Sequence, residues 1–141
     1  MHKLNVVEGR MNMGYNMNMD IKTRDTIIFG EYAPEKYGGG IRYFDGMTIT
    51  TLKELIDKGF CNPEEEQNCS PTVEQFIDFM EANDGYVVNG YVVSDNRPDY
   101  RVSVTAIEKQ KPIETKEELE TFVYFARYAD DFDVAGYAWW D

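Results

Sequence analysis

Cys61 and Cys69 are the chain's two cysteines, and they flank the stretch Asn62-Pro63-Glu64-Glu65-Glu66-Gln67-Asn68. Two thiolates brought together with one or two of these carboxylates, or with His2, have the donor types of a tetrahedral zinc site. The spacing is longer than the short knuckle of zinc modules, and no second pair completes the set. The alternative is two ordinary half-buried cysteines around a loop. His2 is the sole histidine, so a Ser or Cys nucleophile that relies on an imidazole base has only this residue near the start. Ser70, Ser94 and Ser103 each have a structural reading, as a cap, a turn and a strand position. Gly38-Gly39-Gly40 lacks the lysine and the spacing of a phosphate-cradling loop. Asp130-Asp131-Phe132-Asp133 lacks the ligand order and mid-loop glycine of a calcium loop, and reads as a solvated helix end. Among 26 acidic residues, some pair always falls at a suggestive spacing, so paired carboxylates specify no acid–base chemistry. The residue types point away from an enzyme.

The elements that would position these residues follow from periodicity and punctuation. Residues 1–20, with methionines alternating with Asn and Gly, read as a flexible segment, and several of these methionines can serve as translation starts. Residues 21–141 read as one domain. Thr26–Phe29 is a β-branched run ended by Gly30, a predicted strand; a second strand is expected near Ile41–Phe44. Thr51-Leu52-Lys53-Glu54 predicts a capping box and a short helix stopped by Gly59. Asn62–Glu65 suggests an acidic turn. Ser70-Pro71 predicts the next helix start, and Val73, Phe76, Ile77 and Met80 give it an apolar stripe. Tyr86–Val93 and Tyr100–Ile107 form a predicted hairpin. Thr115–Glu118 opens a last helix carrying Leu119, Phe122, Val123 and Ala126. A short strand, Tyr137–Trp140, closes the chain. Strands and helices without repeated βαβ units predict an α+β fold. Its sheet is expected to be mostly antiparallel, of about five strands, with two or three helices packed on one face.

Charge is the most informative global property. The formal net charge is −12, and it is unevenly placed: residues 1–60 hold eight acids and eight bases, residues 61–141 hold 18 acids and six bases. Such a field repels nucleic acid and acidic membranes and attracts basic surfaces; solubility alone is the other reading. Glu74, Asp78 and Glu81 fall along one helix face, Glu117, Glu120, Asp130 and Asp131 gather around the last helix, and Glu64, Glu65 and Glu66 fill the turn. These ten carboxylates are the predicted partner-binding surface, with Tyr86, Tyr91, Tyr128 and Tyr137 as candidate aromatic anchors. Rows of carboxylates can occupy a groove built for phosphates; a solvated helix face is the alternative. No apolar run is long enough for a membrane span, and the start lacks a secretory h-region. The expected compartment is the cytoplasm, with both cysteines as thiols.

The stretch SPTVEQFIDFMEANDGYVVNGYVVSDNRPDYRVSVTAIE (70–108), with ARYADDFDVAGYAWWD (126–141), resembles small acidic proteins carried on mobile elements and phages of Firmicutes. That setting includes anti-CRISPR proteins, inhibitors of Cas9-type immunity. The resemblance covers 55 of the chain's 141 residues and rests on general pattern. It implies a non-enzymatic inhibitor, acting in a bacterial host cell, that binds an RNA-guided nuclease and blocks DNA recognition or loading. Such nucleases hold nucleic acid in a positively charged channel. The competing expectation is a small structural or adaptor domain stabilised by zinc at Cys61 and Cys69.

Overall fold

The computed structural model of the chain describes residues 5–7, 10–12 and 15–141. Two three-residue strands, β1 (Asn5–Val7) and β2 (Arg10–Asn12), pair antiparallel; His2 lies outside the described residues. Residues 15–20, part of the segment read as flexible, bond to the body of the protein. The Tyr15 hydroxyl donates to the Cys61 carbonyl at 2.9 Å, and the Asn18 amide N–H donates to the Gly59 carbonyl at 2.8 Å.

The expected strand at Thr26–Phe29 is instead the end of a helix, α1 (Ile21–Phe29). Asp20 caps it by accepting from the Thr23 N–H, and Gly30, at φ 80°, closes it by donating to the Thr26 carbonyl. A glycine in the left-handed region ends a helix as readily as a strand, and the β-branched run was too short to separate the two. Next come β3 (Ile41–Met47) and α2 (Ile49–Asp57). Thr48, not Thr51, caps α2, one turn earlier than predicted, because its hydroxyl accepts from the Thr51 N–H. Gly59 follows its end, as expected. Helix α3 (Val73–Ala82) opens at Thr72, whose hydroxyl and N–H exchange bonds with Gln75 in a full capping box. Ser70 is not the cap; its hydroxyl accepts from the Gln67 N–H and closes the preceding turn.

The predicted hairpin is present as β4 (Tyr86–Val93) and β5 (Val102–Lys109). Helix α4 (Lys116–Phe125) is capped by Thr115, as expected. The acidic run after it is not a helix end: β6 (Asp131–Asp133) pairs with β7 (Tyr137–Trp139) in a hairpin closed by the Gly136 N–H on the Asp133 carbonyl. The architecture is α+β, with four α-helices among the described residues and an antiparallel five-stranded sheet in the order β3-β4-β5-β7-β6.

One apolar cluster joins helices to sheet. Leu52 and Leu55 of α2, Phe76 of α3 and Phe122 of α4 are fully buried against Val88, Val92, Val102, Ile107 and Ala138, and Ile27, Ile28 and Phe29 of α1 pack on the same cluster. Each buried side chain of this size contributes about 1.5–3 kcal/mol. Aromatic rings lock the helices down: Phe76 meets Phe125 and Trp140 edge-on at 5.6 and 5.4 Å. Gly90 is fixed by close approach, since a Cβ there would overlap the Ser103 carbonyl oxygen and lie 2.8 Å from the Phe44 ring. Because strand side chains alternate, every helix lies on the face that carries Tyr86, Val88 and Val92. Among the described residues, no helix is long and apolar enough to cross a membrane.

Candidate functional site

The structure separates the two cysteines. Cys61 sits wholly inside the core with its thiol 3.9 Å from the Val102 carbonyl, and burial, reinforced by nearby Glu65, pushes that thiol's pKa up. A thiol so disposed resists the deprotonation that metal ligation needs. Cys69 is exposed, at the unusual φ of 58°. Among the described residues, no group of three or more His, Cys, Asp or Glu side chains is placed to hold a metal ion.

The ten predicted carboxylates have divergent fates. Glu65 is buried and faces inward: its Oε2 accepts from the Ser103 hydroxyl at 3.3 Å and lies 3.4 Å from Arg101 Nε. It belongs to the fold, because the turn tucks beside the half of β5 that β7 does not reach. Glu81 is taken by Lys53 of α2 and Glu120 by Lys116. Asp130 accepts from the Asp141 N–H at 2.6 Å. Glu64, Glu66, Glu74, Asp78, Glu117 and Asp131 are exposed, and among the described residues none of them pairs with a cation.

The aromatic anchors divide likewise. Tyr86 is not exposed; it is buried, stacked on Phe122 at 5.9 Å and edge-on to Phe79 at 5.0 Å. Tyr128 is exposed, and with Tyr124 it flanks the Arg127 guanidinium, which lies 4.8 and 3.9 Å from the two ring centres. These residues line an open groove of about 490 Å³ with Cys69, Gln75 and Asp78. The helix side therefore brings Asp78 and Tyr128 into one groove, but with the Arg127 cation in its lining.

The other side of the sheet was not foreseen as a unit. Tyr43, Tyr91 and Ser103 stand opposite one another across β3, β4 and β5. Asn89, Ala106, Trp139 and Asp131 form the next row, and Val87, Glu108, Tyr137 and Asp133 the third. Tyr43 is 76 % and Trp139 38 % exposed, and the Tyr43 and Tyr91 rings meet edge-on at 6.2 Å. The phenol of Tyr137 is pushed up in pKa by burial and then by the charges of Asp131, Glu108 and Asp133, of which Glu108 and Asp133 are its cross-strand neighbours. The base on this face, Arg101, is held by Asp99, Glu65 and the Tyr91 hydroxyl. The alternation Tyr137-Ala138-Trp139 carried this signal in the sequence. What hid it was the reading of Asp130–Asp133 as a helix end, which left β7 without its acidic neighbour.

No protein-family model, no curated protein and no solved structure matches the chain.

Proposed function

We propose that this chain is a non-enzymatic acidic inhibitor that binds a basic, nucleic-acid-handling protein, a Cas9-type RNA-guided nuclease, and blocks DNA recognition or loading in a bacterial host cell. The supporting observation is that the surplus of negative charge is not spent inside the fold. Of the six bases in residues 61–141, Arg97, Arg101, Lys109 and Lys116 are taken up by the chain's own carboxylates. Arg127 is stacked on tyrosines. The carboxylates left over face solvent, where they attract a channel lined with Lys and Arg. The resemblance of 70–108 and 126–141 to small acidic phage proteins names the kind of target.

The test is a titration of the full chain against a guide-loaded nuclease, reading target-DNA binding and cleavage. Inhibition is expected at stoichiometric ratios, with affinity falling steeply as salt shortens the screening length. Unimpeded DNA binding at a large excess of the chain, at low salt, overturns the reading.

A further inference from the structure

We infer that the basic partner docks on the face of the sheet that carries no helix, through the patch that sets Tyr43, Tyr91, Tyr137 and Trp139 beside Glu108, Asp131 and Asp133. This inference rests on the function proposed above and assigns it a surface. All four helices pack against the opposite face, so among the described elements this one has no helix over it. Five strands at about 4.8 Å spacing make it about 19 Å wide. Its middle carries the small buried residues Val87, Ser103 and Ala106, and its flanks carry the large rings. Exposed aromatic side chains clustered on one surface mark sites of association, where such residues supply most of the binding energy.

The charge on this face chooses the occupant. Glu108, Asp131 and Asp133 have no cationic partner among the described residues, and Arg101 is already engaged by Asp99 and Glu65. An arginine offered by a partner meets both things a guanidinium seeks, a carboxylate to bond and an aromatic face to cover. The helix side keeps free carboxylates at Glu74, Asp78 and Glu117, but the exposed rings beside them are already taken, because Arg127 covers Tyr124 and Tyr128. A second copy of this chain would oppose like charges on the same patch. Acids on the short edge strand β6 also discourage pairing of that edge with another strand. The occupant is therefore an arginine-rich protein surface.

The experiment compares three full-length variants with the parent chain: Tyr43→Ala/Trp139→Ala, Asp131→Lys/Asp133→Lys, and, with the same change in net charge, Glu74→Lys/Asp78→Lys. Each is checked for folding by thermal melting and titrated against the guide-loaded nuclease. The two sheet-face variants are expected to lose about tenfold or more in affinity, and the helix-face variant distinctly less. An equal or larger loss in the helix-face variant overturns this surface while leaving the inhibitor reading intact. If the parent chain fails to bind the nuclease, that reading falls, and an arginine-rich peptide titrated into isotope-labelled chain decides the surface. Shifts centred on the Trp139 indole support it, and shifts centred on α3, or none, overturn it. A dimer seen by light scattering and abolished by the sheet-face variants also overturns it, in favour of a second copy.

Discussion

Lys53 of α2 places its ammonium 2.5 Å from the carboxylate of Glu81 on α3, joining two helices that the sequence presented as separate. The hydrogen bond that Lys53 donates to Glu81, and then that carboxylate's charge, raise the Lys53 pKa. Both side chains are about half exposed, so the pair adds little to stability and is weakened by salt. It does set which carboxylates can be reversed cleanly. Glu81→Lys sets two ammonium groups against each other and is expected to lower the melting temperature at low salt, with much of the deficit recovered at high salt. Glu74→Lys has no ion pair to lose, only a favourable place in the first turn of α3, and is expected to lower the melting temperature less than Glu81→Lys. Melting curves at the two salt concentrations check both outcomes, and a Glu74→Lys deficit as large as that of Glu81→Lys contradicts the argument.

A second ion pair is of the opposite kind. Arg24 and Asp25, both fully buried, bond at 2.9 Å. Arg24 also donates to the Val93 carbonyl at 2.9 Å and to the Tyr37 hydroxyl at 2.8 Å, and that hydroxyl donates to Asp25 at 2.5 Å. The guanidinium lies 4.6 Å from the centre of the Tyr100 ring. The network ties α1 to the sheet and to the segment containing Tyr37. Removing one charge leaves the other buried and alone, so Asp25→Asn is expected to cost about 3–5 kcal/mol in denaturant melts. The double change Arg24→Met/Asp25→Leu is expected to be much milder than the sum of its single changes. Additive losses would mean that the two residues act independently.

Acid stability depends on Asp99. Burial pulls its pKa upward, but hydrogen bonds from Arg97 and Arg101 outweigh that, and the carboxyl sits below its ordinary value of 3.8. A depressed folded pKa stabilises the fold above the unfolded value, and the stabilisation is lost as pH falls through the folded one. The contribution is therefore complete at neutral pH and disappears below about pH 4. Asp99→Asn is expected to lower the melting temperature at pH 7 and to converge on the parent in strong acid. Asp20 and Glu118, also lowered in pKa, keep some acid dependence in the variant. Parallel curves for the two proteins across the acid range would refute the assignment.

Where periodicity and capping agreed, the sequence was legible. The stripe of α3, the Thr115 cap of α4 and the β4–β5 hairpin lie where the pattern put them. The misreadings share a cause: a local signal compatible with two structures, decided by tertiary contacts. Gly30 ends a helix, and that helix buries Arg24 and Asp25. Asp131–Asp133 pairs as a strand because Gly136 turns the chain back on it. Of the candidate surface, charge sign was readable and placement was not. Composition cannot tell that Glu65 turns inward to Ser103 and Arg101, nor that Tyr86 lies under Phe122 while Tyr43 is outside.

The two thiols offer a test of the cysteine environments that also bears on zinc. Cys61 is fully buried with its pKa raised, and thiolate rather than thiol is the reacting form. Cys69 is exposed. Native protein is therefore expected to titrate one thiol rapidly with a disulfide reagent, and the second only in denaturant. Cys69→Ser removes the fast phase, whereas Cys61→Ser leaves it and costs stability by placing a hydroxyl in the core. Zinc shared by the two residues would protect both thiols and give stoichiometric metal by elemental analysis, lost in either variant. Rapid reaction of Cys69 in protein purified without chelator, together with substoichiometric zinc, is the outcome the geometry predicts. Protection of Cys69 that a chelator relieves would instead require the Cys61 side of the core to open, and would restore the metal-stabilised alternative.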